Sequence, residues 1–501
     1  MGDDYKKKVI AKGDEGSKFL AAKAAPTLKN SRYVDVLSDG MNGLNVLRLP
    51  RDHYCLVSSS SGDPKITDIQ EYAASAVSRL FNIHASLGAT PIAFADIIDS
   101  NTGDLELLDK IMSALVDRSR GYIIPIVNGE NAILGSRITG EANVSITMLS
   151  MIPKRLAYDY VGTDRGVIYP HNHEIAIFNP KNKPIHINSD GVGTKTAFYE
   201  RLLELEMSRN PLIVYLKKNF GLYRFGRVLY DSAAMKEDDA GKIGAEVQVL
   251  TDVVETVGDI PMRPLYTVAD RFHKTGIDYI LEHEDVIDRL RSYKDGVPAF
   301  NISGSAVSLI DEERLRNPLK PSAGEYLISI SGKPNPRSNG ITSLRKIMVD
   351  WLGEDWHKSK EGKDMLDYLA EPSTVLYPLF NSLIAQGLAT SVYHNSGGAY
   401  DGKLARPLAK HGLYIKMQGG FSLDKRLIYI MHAADIDWND AFGKWPMGND
   451  GFVTTNNPEE TMISIRKLGY TAVNRGILEK RSDGKTGVEI PDYNVTFSGK
   501  D

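Results

Sequence analysis

One cysteine, Cys55, stands in 501 residues. That count excludes an intramolecular disulfide and a thiolate metal cluster, and it suits a reducing compartment. Long apolar runs are missing as well. No stretch approaches the ~18 uninterrupted apolar residues of a membrane span, so no membrane association is expected. Residues 1–16, MGDDYKKKVIAKGDEG, hold no apolar core of the kind a secretory leader needs, and a cytoplasmic protein is expected. Charge of one sign is not in excess either. Against 64 Asp and Glu stand 60 Lys and Arg, a formal balance of −4 that gives no electrostatic reason for nucleic acid binding. What is left is a chain 42% hydrophobic and 25% charged, the composition of a globular protein long enough for several domains.

The chain resembles itself. LGATPIAFADIID (87–99) and IGAEVQVLTDVVE (243–255) match at Gly88 with Gly244 and at Asp96 with Asp252, each pair 156 residues apart. A helix-like segment precedes each copy, EYAASAVSRLFNIHAS in one and YDSAAMKEDDAGK in the other, and a strand-like run ending in the acid follows. Farther on, YIIPIVNGENAI (122–133) is similar in texture to VPAFNISGSAVS (297–308). LLDKIMSALVDRSRG (107–121) has helical apolar spacing and a terminal glycine. Two β/α units in tandem are expected.

Between them, HINSDGVGTK (186–195) follows a short strand, Ile185 to Asn188, and leads into the helical run TAFYERLLELEM. Backbone N–H groups around Gly191 and Gly193 can approach a phosphate unobstructed; Lys195 adds a point charge and Thr194 a hydroxyl. Asp190 adds a hard oxygen donor suited to Mg²⁺. The spacing fits neither a Walker loop nor a dinucleotide fingerprint. Taken alone the loop is an ordinary turn at a helix start. From about residue 316 three strand–loop–helix passages follow, with PRSNG (336–340), HNSGG (394–398) and MGNDGF (447–452) in their loops. They read as one α/β domain whose loops share a cleft. HNHE (171–174), read as a strand, would put His171 and His173 on one face, but no third metal ligand is near and the pair reads as structural.

SDGVGTK, PRSNG with the following SLRKI, HNSGG and MGNDGF, in this order, resemble the aminoimidazole ribonucleotide synthetase (phosphoribosylformylglycinamidine cyclo-ligase) family. SRYVDVLSDGMNGLNVL and YCLVSSSSGDPK in the first copy are similar to the family's start and phosphate loop. That resemblance implies an α/β (α+β) fold. Two tandem N-terminal-type β/α domains would pair as an internal pseudo-dimer with a barrel-like sheet, at residues 1–155 and 156–315. A C-terminal α/β domain would occupy 316–501. It implies ATP and Mg²⁺ as cofactors and a small-molecule substrate, formylglycinamidine ribonucleotide, closed to aminoimidazole ribonucleotide. Monomer and higher homo-oligomer both stay open.

The site residues follow by the same resemblance. ATP phosphates would lie on Ser189, Asp190, Gly191, Val192, Gly193, Thr194 and Lys195, with Asp238, Asp239 and Glu130. Metal would be held by Asp190, Asp239, Glu130 and Asp252. Substrate would meet Ser338, Asn339 and Gly340, and His394, Asn395, Ser396, Gly397 and Gly398. Lys195, His394 and Asp190 would carry the catalysis. Departures from the family pattern are Arg337, Pro446, the first loop SSSSGDPK, and Asn82-Ile83 where the second copy has Asp238-Asp239. Glu130 is matched to Ser305 in the second copy, which makes each copy complementary half of a site. With Cys55 alone, the cysteine chemistry of selenophosphate synthetase or of the hydrogenase maturation factor is not expected. A formylglycinamidine ribonucleotide synthetase-like enzyme is the alternative, then thiamine monophosphate kinase-like chemistry, then a non-catalytic nucleotide-binding regulator.

Overall fold

The computed structural model describes residues 15–37, 46–207, 223–286 and 289–499. Residues 38–45 of the stretch SRYVDVLSDGMNGLNVL lie outside the described residues. The chain divides into two compact units. The first comprises Met1–Glu200, Ser208–Ser232 and Glu246–Glu312, and the second Arg201–Met207, Ala233–Ala245 and Glu313–Asp501.

In the first unit two six-stranded sheets carry the duplication. One runs Ile126–Ile133, Thr90–Ser100, Ala142–Pro153, His53–Ser61, Ile175–Phe178, Arg165–Ile168. The other runs Asp278–Asp285, Glu246–Val257, Ala299–Leu309, Ile185–Gly191, Val46–Arg48, Asp35–Val36. Place by place the two orders correspond. In each, the first pair is parallel and every later pair antiparallel. Helices Ile69–Ser86 and Val228–Lys242 precede the equivalent strands Thr90–Ser100 and Glu246–Val257. The first starts where the Asp68 carboxylate accepts from the N–H groups of Gln70 and Glu71, filling two donors that a helix start leaves open.

Each sheet borrows its outer hairpin. Strands Asp35–Val36 and Val46–Arg48 lie at the start of residues 1–155 yet complete the second sheet, while Arg165–Ile168 and Ile175–Phe178 lie at the start of residues 156–315 yet complete the first. The two sheets also share one core. Cys55, Val57, Ala93 and Leu149 of one face pack with Ile187, Val249, Ile280 and Val307 of the other. Each large aliphatic side chain removed from water there contributes about 1.5–3 kcal/mol. Side chains stitch the sheet edges. Asn128 accepts from the Ser189 N–H at 3.0 Å on one side. On the other, Arg165 donates to Asp278 at 3.1 Å and Glu174 accepts from the Leu281 N–H at 2.7 Å. The pair of sheets thus closes like a barrel, as an internal pseudo-dimer should.

Some local expectations differ from the structure. Asp96 and Asp252 do not end their strands; both lie mid-strand and buried. Helix Leu105–Tyr122 runs past Gly121 and stops at Ile123, which takes the left-handed conformation at φ 58°. HNHE is not a strand. Pro170–Asn172 makes a single tight turn with His171 at φ 51°, so His171 and His173 share no strand face.

The second unit has a four-stranded antiparallel sheet, in order Ser391–His394, Gly451–Thr455, Tyr326–Ser331, Thr471–Ile477. A smaller three-stranded sheet, Tyr414–Lys416, Gly487–Ile490 and Val495–Phe497, accompanies it. Helices Tyr377–Ala385 and Pro458–Lys467 cover the first sheet through Leu379, Phe380, Leu383 and Ile465.

Candidate functional site

In the first unit the SDGVGTK loop grows out of strand Ile185–Gly191, which runs three residues past the expected Asn188. Strand alternation sorts its side chains. The Ser189 hydroxyl points into the barrel and meets the Ser305 hydroxyl at 2.7 Å. Ser305 bonds to Thr147 at 2.7 Å, and Ser59 joins Thr147 and Thr251 at 2.7 and 2.6 Å. Ser189, expected on phosphate, belongs to this buried hydroxyl layer. Asp190 takes the opposite face.

Asp190, Gly304 and Asp252 form one row across three neighbouring strands. The absent side chain at Gly304 is what leaves room between the two carboxylates. A Cβ there would run into the Thr251 carbonyl and come within 2.7 Å of Asp252 Oδ1. Asp252 accepts from Ser232 at 2.8 Å and from the Tyr279 hydroxyl, which fixes its direction. Asp190 is half-buried and accepts from the Gly191 N–H at 2.7 Å. Gly304→Ala is therefore expected to lower the melting temperature, with a cost of about 1–3 kcal/mol from overpacking. A thermal melt indistinguishable from wild type would show that the row tolerates a side chain.

In the first copy the equivalent row reads Ser60, Ile146, Asp96. Ile146 fills the gap, and burial pushes the Asp96 carboxyl up to about 7. This copy has lost the opening as well as the loop.

Register also corrects the match between copies. Asp96 pairs with Gly129 on its parallel neighbour, and Asp252 pairs with Leu281 on its own. Glu130 therefore corresponds to Glu282. Gly304-Ser305 sits instead on the antiparallel neighbour, where the first copy has Ile146-Thr147. The second copy has kept its glutamate. Glu282 is engaged by His173 at 2.7 Å and lies 3.9 Å from Arg79, which also pairs with Glu284. At the other edge Glu130 is half-buried, on the same face as Asn128, whose strand borders the loop strand at Ser189.

Lys195, expected on phosphate, is paired with an acid of the chain. Its ammonium is fully buried, 2.7 Å from Asp231, and Tyr199 donates to the same carboxylate at 2.6 Å. A buried charge requires such a partner. Val192 is buried too, its N–H given to the Ile302 carbonyl, and Thr194 is buried; Gly191 and Gly193 stay half-buried, Gly193 at φ 61°.

The second unit gathers the later motifs at the ends of its larger sheet. The Asn339 amide donates to the Asn395 carbonyl at 3.1 Å, and the Asn395 amide donates to the Asn449 carbonyl at 2.9 Å. Asp450 accepts from the Gly332 N–H at 2.6 Å and from Thr374 at 2.9 Å. PRSNG, HNSGG and MGNDGF are thus bonded to one another. Each of the three loops also holds a non-glycine residue in positive φ: Arg337 at 52°, Ala399 at 42° and Met447 at 45°. Strain of about 1–3 kcal/mol apiece is kept only where surroundings enforce it, commonly around a binding site. Gly397 and Gly398 are exposed, Ser338 and Gly340 half-buried, and Ser396 buried.

Asp238 and Asp239 differ in situation. Asp238 accepts from the N–H groups of Leu376 and Tyr377, at the start of helix Tyr377–Ala385, and pairs with buried Arg337 at 2.9 Å. Burial nevertheless raises it to about 7. It joins the start of that helix to Arg337. Asp239 reaches His394 Nε2 at 2.9 Å and pairs with Lys242. Burial, with Lys242 and Lys403 adding to it, brings His394 down to about 3 despite Asp239, so its imidazole is neutral at pH 7. Burial alone would raise Asp239, but Lys242, His394 and Lys403 together hold it well below the usual carboxylate range.

Lowered histidines make a stability prediction. His84, held between Ser58 and Ser150, is likewise brought to about 3 by burial. An unfolded histidine takes its proton near pH 6.5, so the unfolded state binds more protons below that value. Stability is expected to fall as pH drops from about 6.5 toward 3, and His84→Gln to flatten that slope. Denaturant melts across the range check it; an unchanged slope would show that His84 is not buried neutral.

Three partners were not anticipated. Asp450 sits inside the quoted MGNDGF and orders two loops. Arg475, buried, donates to Ser329, Asn449 and the Gly419 carbonyl while stacking on Phe421 at 4.2 Å. Tyr400 receives the Asn449 amide at 2.6 Å. A sequence motif shows the loop but not the distant arginine that pins it. Glu204, Asp355 and His357 also cluster, but Lys358 lies 2.8 and 3.1 Å from the two acids and supplies the positive charge there.

Paired α/β sheets with a glycine-opened acidic row, and a separate α/β unit of three bonded loops, define a duplicated α/β protein. Curated proteins similar to it are phosphoribosylformylglycinamidine cyclo-ligases. That of Pyrococcus furiosus is 23% identical over 335 residues, 65% of this chain and 87% of the relative. That of Brevibacillus brevis is 22% identical over 292 residues, 57% of this chain and 77% of the relative. The resemblance read from the motifs holds. No family model matches. Among solved structures, thiamine-monophosphate kinase from Stenotrophomonas maltophilia K279a is 11% identical with a TM-score of 0.43, covering 68% of this chain and 96% of that one. T. maritima PurL complexed with AMPPCP is 12% identical with a TM-score of 0.35, covering 62% of this chain and 43% of that one. Overlaps this partial add nothing about activity. Among the described residues no helix is long and apolar enough to cross a membrane.

Proposed function

We propose that the chain is an ATP-dependent cyclo-ligase of purine biosynthesis, closing formylglycinamidine ribonucleotide to aminoimidazole ribonucleotide with release of ADP and phosphate. The observation that carries this reading is the similarity to cyclo-ligases across most of their length, including the chain's SDGVGTK loop. Its domains are 1–155, 156–315 and 316–501, with outer hairpins exchanged between the first two.

In this reading the formyl oxygen of the substrate takes the γ-phosphoryl group of ATP, ADP leaves, and a nitrogen of the same substrate attacks the formyl carbon and expels phosphate. The nucleophile belongs to the substrate, so the protein supplies position and charge. Mg²⁺ suits the oxygen-only donors Asp190 and Glu130, both half-buried, and would neutralise phosphate charge. Glycines 191 and 193 leave the backbone accessible to phosphate. His394, buried and neutral, is bonded to Asp239 and lies 3.3 Å from the Ser396 hydroxyl, so it would position the turn whose exposed Gly397 and Gly398 meet substrate.

Incubation with Mg·ATP and formylglycinamidine ribonucleotide, assayed for aminoimidazole ribonucleotide and ADP, tests it. Both products are expected. Two N-terminal-type sheets in one chain favour a second reading, a formylglycinamidine ribonucleotide synthetase-like enzyme, which would instead form ADP with formylglycinamide ribonucleotide and an ammonia source. ATP binding without turnover on either substrate would support the regulator.

A further inference from the structure

The barrel interior is layered. Apolar side chains fill one level and the Ser and Thr hydroxyls the next. Beyond a serine pair, Ser145 and Ser303 at 3.1 Å, comes a level of two carboxylates and two amides: Asp99, Glu255, Asn143 and Asn301. Register makes them two equivalent pairs. Asp99 faces Asn143 across strands in the first copy, and Glu255 faces Asn301 in the second. All four are at most 2% exposed.

Their hydrogen bonds are one-sided. Asn301 Nδ2 donates to Asp99 Oδ2 at 2.7 Å and to Glu255 Oε2 at 3.1 Å, and Asn143 Nδ2 donates to Glu255 Oε2 at 3.0 Å. Between them the two amide nitrogens of the cluster thereby donate to two carboxylate oxygens. The other four oxygens, Asp99 Oδ1, Glu255 Oε1, Asn143 Oδ1 and Asn301 Oδ1, accept no hydrogen bond among the described residues. Buried polar atoms without partners are rare, and four in one bonded cluster call for a common explanation.

Nearby cations do not supply it. Arg137 is held by both oxygens of Glu200, at 3.0 and 2.6 Å. Arg289 stacks on Tyr72 at 3.6 Å and donates to the carbonyls of Ala142 and Ile66. Arg79 is engaged by Glu284. Two carboxylates therefore lie together with oxygen acceptors turned to no donor. Carboxylate and amide oxygens without nitrogen or sulfur are the ligand set of a hard divalent cation, and Ca²⁺ accepts such mixed sets most readily.

We propose that Asp99, Glu255, Asn143 and Asn301 bind one hard divalent cation of the Ca²⁺ type inside the barrel, on the pseudo-twofold axis relating the two copies. Two ligands come from each copy, so the ion fastens the halves of the internal pseudo-dimer together. The site is separate from the Asp190 row and does not depend on the cyclo-ligase reading.

The test is metal content per chain, on full-length protein refolded from chelator-treated denaturant with CaCl₂ or MnCl₂ and no nucleotide. One ion per chain is expected to survive gel filtration, with an upward shift in melting temperature over the metal-free protein. Asp190→Asn should retain that ion. Asp99→Asn combined with Glu255→Gln should lose it, yet melt no lower than metal-free wild type because neutral amides relieve the paired charges. Asn143→Ala keeps both charges and removes one donor; it should weaken binding by at least about tenfold. It decides the matter even where the double variant fails to fold. Absence of a retained ion in wild type, an ion lost with Asp190→Asn, or Asn143→Ala binding as wild type does would overturn the proposal. An infrared band of a protonated carboxyl in the presence of Ca²⁺, removed by Glu255→Gln, would likewise overturn it, since a proton would then hold the place of the metal.

Discussion

Asp190→Asn is expected to lower substrate-dependent ATP turnover by about 10²–10³-fold while leaving the melting temperature unchanged. The substitution is chosen for what it preserves. Asp190 Oδ1 accepts from the Gly191 N–H at 2.7 Å, and an asparagine oxygen accepts equally well, so the loop keeps its turn. What is lost is a carboxylate charge on the outer face of the sheet, in register with Gly304 and Asp252. The repeat provides an internal control. Ser60 occupies the corresponding place in the first copy, beside Ile146 in place of Gly304, so Ser60→Ala should leave turnover unchanged. Glu130→Gln, on the strand that borders the loop, should resemble Asp190→Asn. If Asp190→Asn turned over like wild type, or if Ser60→Ala cost as much, the active row would have been put in the wrong copy.

The duplication was legible in sequence because its markers cannot be substituted freely. Gly88 and Gly244 sit at φ 76° and 67°, conformations costly for other residues, and Asp96 and Asp252 occupy the same sheet position. The three later motifs were legible for a similar reason, since each is a glycine-containing turn beside a strand or helix end. Strand order was not. NGENAI and NISGSA look alike because both are strands with an internal glycine, but one pairs parallel and the other antiparallel to its neighbour, and texture carries no pairing information. The exchange of outer hairpins was hidden too, because a strand's sheet depends on contacts far along the chain. Charged residues were the hardest to place. Asp238 looked like half of an acidic pair, and its partner Arg337 lies 99 residues away. The oxygen cluster at Asp99 and Glu255 had no motif at all; it exists only because two copies meet.

Lys195 carries the second large prediction, and it separates two roles that the sequence could not. Lys195→Met is expected to cost about 3–5 kcal/mol of stability, because it takes the Lys195 ammonium from beside the buried Asp231 carboxylate. Tyr199 still donates to Asp231 at 2.6 Å, but a neutral hydroxyl does not replace the charge of an ammonium. Adding Asp231→Leu removes the stranded charge, so the double variant should regain most of the lost stability, and the cycle should show strong coupling between the two positions. Denaturant melts of all four proteins measure this directly. Turnover then follows the fold: with Lys195 held by Asp231, activity should return with stability to within about tenfold in the double variant. A phosphate-binding lysine gives the opposite pattern, in which Lys195→Met melts near wild type and the double variant stays inactive. That pattern would return Lys195 to the nucleotide and leave Asp231 as the residue that holds it back when no phosphate is bound.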